Sequence, residues 1–454
     1  MRFKSTGILL VVFAALLAYV YFFEIKGKEK AEKAKERESK LLVFEKDSLK
    51  SIYLKKSGIK LEKENDRWMI TEPVRSKTEN WVVNSLINSI ADAKKERRIS
   101  SDPASYSEYG LDPARHEIII AHNGKQDTLY LGEKSPTGSY VFVRVNSDSQ
   151  VYATGTLLLT NAEKDLFDFR DKTVLSFETS NAEKLKIKSS KRTIEARKEG
   201  DDWYLYNNAR KILADDIKIN QILNGIRNAK AKKFVEEKPV NLDKYGLTNP
   251  LYEVEINVSG DGGLHALAIG KQEDGTYFAR DVSRDPIFTI DTSVVRKLDV
   301  TLWDLREKKL ADFYSYQVDY LELRVQDSTF VFEKDTAGVW QVTAPVQGKA
   351  KSWKISSLTG SASALKAEKI VAEKTEYLKK YGLDNPSIQI ICKKEGEEIA
   401  NIKIGRKVGD HYYAMGNLSP AVVLVKQDDV KKFNIQLQDI LEEEKEVETE
   451  QGQE

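Results

Sequence analysis

Four histidines and one cysteine are the side chains of this 454-residue chain best suited to metal binding or proton transfer. His116, His122, His265 and His411 fall at unrelated positions, and no metal-ligand constellation is read from them. Cys392 stands alone, which excludes an intramolecular disulfide and a thiolate cluster. Its segment, Ile388-Gln389-Ile390-Ile391-Cys392, reads as a half-buried strand in which the thiol packs inertly. Ile269-Gly270-Lys271 is followed by Gln272 and lacks the upstream glycine of a phosphate-binding loop. No Gly-x-Ser-x-Gly elbow occurs, and Ser57-Gly58-Ile59-Lys60 meets Ser-x-x-Lys only across a turn and a strand. Lys and Arg number 72 against 71 Asp and Glu, so a net charge of +1 offers no field for nucleic acid. The expectation is a protein without catalytic residues, cofactor or metal.

The aromatic residues carry a different message, because they recur. Tyr109-Gly110-Leu111-Asp112-Pro113 returns as Tyr245-Gly246-Leu247-Thr248-Asn249-Pro250 and as Tyr381-Gly382-Leu383-Asp384-Asn385-Pro386. Trp68, Trp203 and Trp340 precede these phrases at a nearly constant distance, which marks a tandem repeat. The phrase reads as a helix stop, with glycine in the left-handed position and the leucine packing on Tyr106, Leu242 or Leu378. Proline then turns the chain toward a strand. Downstream, Gly132, Gly270 and Gly405 recur at strand ends, the mark of a bulge or sharp turn. Tyr140, Tyr277 and Tyr412 follow them; packing on the sheet and a shared ligand platform are the two readings of these tyrosines.

Each copy opens with a meander. In the first, Ile52 to Lys55, Ile59 to Glu64 and Arg67 to Thr71 read as strands around Lys56-Ser57-Gly58 and Asn65-Asp66 turns. A helix over about 79–94 follows, with Val83, Leu86, Ile90 and Ala93 in one stripe. Ile219, Ile222, Ile226 and Ala229, then Ile355, Leu358, Ala362 and Leu365, repeat that stripe. The third helix, diluted by serines and Gly360, should be the least stable. After the phrase come strands over 117–122, 128–131 and 140–145, with Asn123-Gly124 as a two-residue hairpin turn. Asp168-Phe169-Arg170 closes the first copy, matched by Asp304-Leu305-Arg306 and in part by Asp439, and reads as a cap with a surface ion pair. The fold class expected is α+β: three tandem repeats, each an antiparallel sheet of meander and hairpins with one amphipathic helix packed on it, behind an N-terminal transmembrane helix.

Residues 1–25 supply that anchor, through the uncharged run 8–23 that enters the lipid bilayer. A cleaved signal peptide is the rival reading, but no small-x-small site follows the run. Residues 26–40 are a charged stalk, helical in part, or a flexible solvated linker. The repeats occupy 41–172, 173–310 and 311–441, and 442–454 form an acidic, disordered tail. Seven Lys and Arg lie in 26–40, yet the short tail with Arg2 and Lys4 has the signal-anchor layout. The bulk of the chain is therefore expected on the periplasmic side of a bacterial cytoplasmic membrane.

The Trp-ending meander Asp66-Arg67-Trp68-Met69-Ile70, the helix, the Tyr-Gly-Leu phrase and the strand-glycine segment together resemble the DUF4340 family, a bacterial domain of unknown function. The resemblance runs from about Leu41 to Leu441 and implies a membrane-tethered, extracytoplasmic accessory protein. Relatives of the domain accompany ABC transporters, including gliding-motility auxiliary components, so ABC transporter subunits or other envelope proteins are the implied partners. The family brings no catalytic residues to carry over. A binding or scaffold module is the first expectation, since stacked repeats provide extended surface. The alternative is binding of peptidoglycan or polysaccharide through Trp81, Trp353 and exposed tyrosines, with packing at the helix start as the plainer account of the two tryptophans.

Overall fold

The computed structural model describes residues 26–208, 210–260 and 263–442, with single residues at 13, 14, 17 and 21. The bilayer-spanning run expected over 8–23 lies outside these residues except at those single positions, and the acidic tail lies outside them beyond Glu442. Among the described residues no helix is long and apolar enough to cross a membrane. The charged stretch is one helix, Lys26–Ser39, built from residues of high helix propensity.

Three nine-stranded antiparallel sheets follow in tandem, and each has the same strand order. In the first, the hydrogen-bonded order is Ser76–Lys77, Arg67–Glu72, Ile59–Glu64, Leu49–Leu54, His116–His122, Lys125–Lys134, Tyr140–Val145, Val151–Gly155 and Arg97–Ser100. The opening meander therefore runs outward from Leu49–Leu54, and the second half runs outward from His116–His122. Alternation along His116–His122 is strict, each second residue buried, as a sheet with one face on a core requires. Asn65-Asp66 and Asn123-Gly124 take positive φ at both central positions, the two-residue turn that matches strand twist.

Two compact units divide the chain: Met1–Glu178 with Gly225–Val254 and Leu264–Lys297, and Thr179–Asn224 with Glu255–Gly263 and Leu298–Glu454. In the first unit the helix Asn80–Ala91 lays Val83, Leu86 and Ile90 against Ile52, Leu61, Ile118, Ile120 and Leu129. In the second unit Ser352–Ser363 lays Ile355, Leu358 and Ala362 against Leu321, Phe332, Ile390, Cys392 and Ile402. Fully burying each large aliphatic side chain contributes about 1.5–3 kcal/mol. The stripe residues of all three helices are buried, those of Asp216–Arg227 included. Val82, Ile87 and Leu223 are buried too, so the apolar face is wider than a single line.

The third helix has a testable weak point. An added Cβ at Gly360 meets no heavy atom within 4 Å, and its φ is not left-handed. Gly360→Ala is expected to stabilise the second unit by roughly 0.5–1 kcal/mol, read as a higher urea midpoint. An unchanged or lower midpoint would show that the helix is already held entirely by its packing.

One amphipathic helix per copy understates the helical content. Leu157–Ala162 and Leu166–Phe169, then Thr292–Leu298 and Leu302–Leu305, and Gln427–Lys431 are further short helices. At four to seven residues they are too short to display a 3.6-residue period.

The Tyr-Gly-Leu phrases do stop helical segments, but separate short ones that follow the edge strand rather than the long helix. These are Pro103–Tyr109, Asp243–Tyr245 and Leu378–Tyr381. Gly110, Gly246 and Gly382 take φ of 65°, 67° and 70°. The Leu111, Leu247 and Leu383 amides donate to the carbonyls of Tyr106, Leu242 and Leu378 at 2.9, 3.0 and 3.1 Å. That is the six-to-one bond of a Schellman turn.

These turns explain the other recurring glycines. A Cβ on Gly132, Gly270 or Gly405 would overlap the carbonyl oxygen of Tyr109, Tyr245 or Tyr381. The strand register also slips at these glycines, between Leu131 and Lys134, Ile269 and Gln272, and Ile404 and Lys407. Bulge and turn are thus one device, with the turn seated on a bulged strand. It covers the sheet face opposite the helix: in the third copy Tyr381 and Leu383 pack with Val422, whereas the neighbouring Val423 joins the core that holds Ile355, Leu358 and Ala362.

Candidate functional site

The segment that closes each copy was expected to hold a cap and a surface ion pair. The cap is present. Asp168, Asp304 and Asp439 accept from the backbone amides of Asp165, Thr301 and Gln436, completing capping boxes. Hydrogen bonds from the Thr301 side chain and backbone hold the Asp304 carboxyl below the usual range, against the opposing effect of burial.

The ion pair is not on the surface. The Arg170 side chain is only 5% exposed, and its Nη1 and Nη2 reach the two oxygens of Glu237, the second at 2.9 Å. Its guanidinium lies over the Phe234 ring, 3.5 Å from the centroid. Arg306 repeats the arrangement in the second unit through Nη1, which lies 2.8 Å from both oxygens of Glu373. Each arginine ends one copy, and each glutamate belongs to the next. At the arginine position of the third copy stands Leu441, which bridges Ala350 as Arg170 bridges Thr78 and Arg306 bridges Ala214. The glutamate position of the first copy holds Ser101. The pair therefore occurs only where two consecutive copies can supply both halves.

Trp203 and Trp340 are buried and Trp68 is partly buried, so the recurring tryptophans serve the cores. Trp81 and Trp353 do not: they are 66% and 67% exposed. Ile217, at the same second position of the middle helix, is 70% exposed. Lys164 and Lys354 stand 5.4 and 5.8 Å from the two indole centroids and leave them open. The plainer account, packing at the helix start, is therefore overturned.

Tyr140, Tyr277 and Tyr412 are not equivalent. Tyr140 is exposed, Tyr277 is half-buried, and Tyr412 packs on the third core. The aromatic partners of the phrase are instead Phe142, Phe278 and Tyr413, whose rings meet Tyr109, Tyr245 and Tyr381 at 4.8, 5.0 and 5.0 Å. Strand register decides which neighbour faces the turn, and the sequence pattern does not display it. Two exposed tyrosines it did not single out, Tyr314 and Tyr316, stack at 5.5 Å with 27° between their planes.

A cleft of about 590 Å³ opens in the second unit. Its walls come from the strand Arg210–Leu213, from Arg306, Glu307 and Lys309, from Glu373 and Lys374, and from the turn at Leu418, Ser419 and Pro420. Lys211 and Lys309 are paired with Glu199 and Asp312, which do not line it. Glu307 accepts the amides of Lys308 and Lys309 at 2.7 and 2.8 Å.

The histidines and the cysteine are engaged elsewhere. His116 and His122 lie at the two ends of one strand. Burial, then the charge of Lys56 at 3.4 Å, holds the His116 imidazole below its ordinary pKa. His122 meets Asp127 at 2.7 Å, and its buried Nδ1 has no partner, so the ring presents no nitrogen to a substrate. Burial raises the Asp127 carboxyl, but hydrogen bonds from His122 and Asn146 outweigh it and leave it below the usual range. His265 stands 6.0 Å from Phe177, and His411 borders an open depression with Asp410 and Asp428. Ser57 donates to the Leu54 carbonyl and Lys60 pairs with Glu62, so they form no dyad. Among the described residues no group of three or more His, Cys, Asp or Glu could hold a metal ion.

Cys392 is fully buried, which pushes its thiol up to about 12. Since the thiolate is the reactive form, folded protein at pH 8 is expected to resist a thiol reagent that labels it fully in urea. Rapid labelling of the folded chain would mean that the third core opens readily.

A family model described as Domain of unknown function (DUF4340) matches three consecutive segments, residues 68–213, 203–340 and 340–445. The first matched segment starts at Trp68 within the first sheet and ends at Leu213 in the second, so the family unit is offset from the sheet unit. No curated protein and no solved structure matches the chain.

Proposed function

The chain belongs to the DUF4340 family, and from that premise we propose a membrane-anchored, extracytoplasmic, non-catalytic binding or scaffold protein that serves as an auxiliary component of an ABC transport system. Residues 8–23 would anchor it in the bacterial cytoplasmic membrane, with the repeats on the periplasmic side. The observation that carries the reading is the exposed apolar side chain at the second position of the long helix in each repeat: Trp81, Ile217 and Trp353. Burying such a side chain against a partner contributes about 1.5–3 kcal/mol, and tryptophan is enriched among residues that dominate interfaces.

The test is affinity purification of the tagged intact chain from native membranes in mild detergent, with mass spectrometry of the retained proteins. Membrane subunits of an ABC transporter should be recovered with the unaltered chain and lost with Trp81→Ala, Ile217→Ala and Trp353→Ala combined. Equal recovery with the triple variant would reject these side chains as the docking points, and absence of such subunits from both would reject the transporter reading. The stacked, exposed Tyr314 and Tyr316 favour a second reading, an envelope polymer held on aromatic faces. Under that reading, Tyr314→Ala with Tyr316→Ala should abolish cosedimentation with isolated cell-wall polymer.

A further inference from the structure

We infer that the cleft of the second unit binds a small phosphomonoester. Arg306 is the starting point. Its side chain is 7% exposed, and it satisfies Glu373 through Nη1 alone. Nε and Nη2 make no hydrogen bond to a described residue, and neither is sealed from solvent. A buried guanidinium with donors left over, at the wall of a cleft, is built to receive an oxyanion.

The surrounding charge agrees. Five cationic and two anionic side chains line the cleft, in a chain whose net charge is only +1. Arg210 and Lys374 pair with no described carboxylate, while one oxygen of Glu307 accepts two backbone amides. Several cations around one point suit a dianionic phosphate better than a single carboxylate, for which one arginine fork suffices. Ile212, Leu213, Leu418 and Pro420 supply an apolar wall for the organic part. A volume of about 590 Å³ falls within the range of small-molecule sites.

The equivalent place in the first unit is already filled. Ile287 pairs with Glu236 as Val422 pairs with Ala372, which sets Arg284 at the position of Ser419. Arg284 is held by Asp281 at 2.8 Å and donates to the carbonyls of Thr173 and Val174 at 3.0 and 2.7 Å. A resident guanidinium thus occupies one junction, and the serine opens the other.

Titration calorimetry on the full chain in mild detergent tests this, with glycerol 3-phosphate as the free phosphomonoester. Micelles carrying phosphatidic acid supply a lipid-borne one, and lactate is the carboxylate control. One phosphomonoester source should bind, more weakly as salt rises, and which one binds identifies the source. Arg210→Ala with Lys374→Ala should weaken binding at least tenfold. Ser419→Arg should abolish it with the thermal midpoint unchanged. Binding of neither phosphomonoester, lactate binding as tightly, or wild-type affinity in the double variant would each overturn the assignment. None of these outcomes depends on the transporter reading.

Discussion

Glu237→Ala should destabilise the first unit more than Arg170→Ala, although the two changes break the same ion pair. Removing the glutamate leaves a guanidinium whose side chain is 5% exposed without its counter-charge, and losing one partner of a buried pair costs about 3–5 kcal/mol. Removing the arginine leaves Glu237, whose side chain is 37% exposed and can recover water. What is lost then is mainly the pair itself and the contact with the Phe234 ring, about 2 kcal/mol. Replacing both by apolar residues of similar volume, Arg170→Met with Glu237→Leu, should come close to the unaltered protein. Urea-dependent hydrogen exchange in segments 160–178 and 230–240 reads all three variants without assuming that the whole chain unfolds in one step. Equal costs for the two single changes would mean that the pair is more hydrated than its burial implies.

How far the sequence foretold this structure depends on the range of each interaction. The helix stripe at Val83, Leu86 and Ile90, the Asn65-Asp66 and Asn123-Gly124 turns and the six-to-one bond of Leu111 are local, so spacing alone exposes them. The strand Arg97–Ser100 escaped because its burial does not alternate; it is defined by pairing with Val151–Gly155, far along the chain. Arg170 and Arg306 were visible as a motif, but their partners lie 67 residues away in both cases. That repeated interval, with Ser101 and Leu441 at the unpaired ends, is a signal that reading each copy by itself could not find. The cleft is harder still, because it exists through a substitution between copies, Ser419 where Arg284 stands, and no residue type announces an empty space.

The second large effect belongs to a glycine that looks unimportant in a strand. Gly270→Ala should cost the middle copy about 3–5 kcal/mol, because the new methyl would enter the Tyr245 carbonyl oxygen with the Gly246 backbone just behind it, at 3.1 Å. Backbone on one side and a bulged strand on the other cannot yield as a flexible side chain would. Relief requires lifting the turn, which exposes Tyr245 and Leu247 and strips them from Phe278 and Ala268; each large side chain so lost forfeits about 1.5–3 kcal/mol. Gly138→Ala is the control. Its φ is 72°, left-handed as that of Gly270 is not, yet an added Cβ meets nothing within 4 Å, so the conformational penalty of about 1–2 kcal/mol is all that applies. The Leu247 amide, bonded to the Leu242 carbonyl at 3.0 Å, should lose its exchange protection in Gly270→Ala and keep it in Gly138→Ala. If Gly270→Ala costs no more than the control and leaves that amide protected, the turn is not what the recurring strand glycine serves, and the bulge must be explained without it.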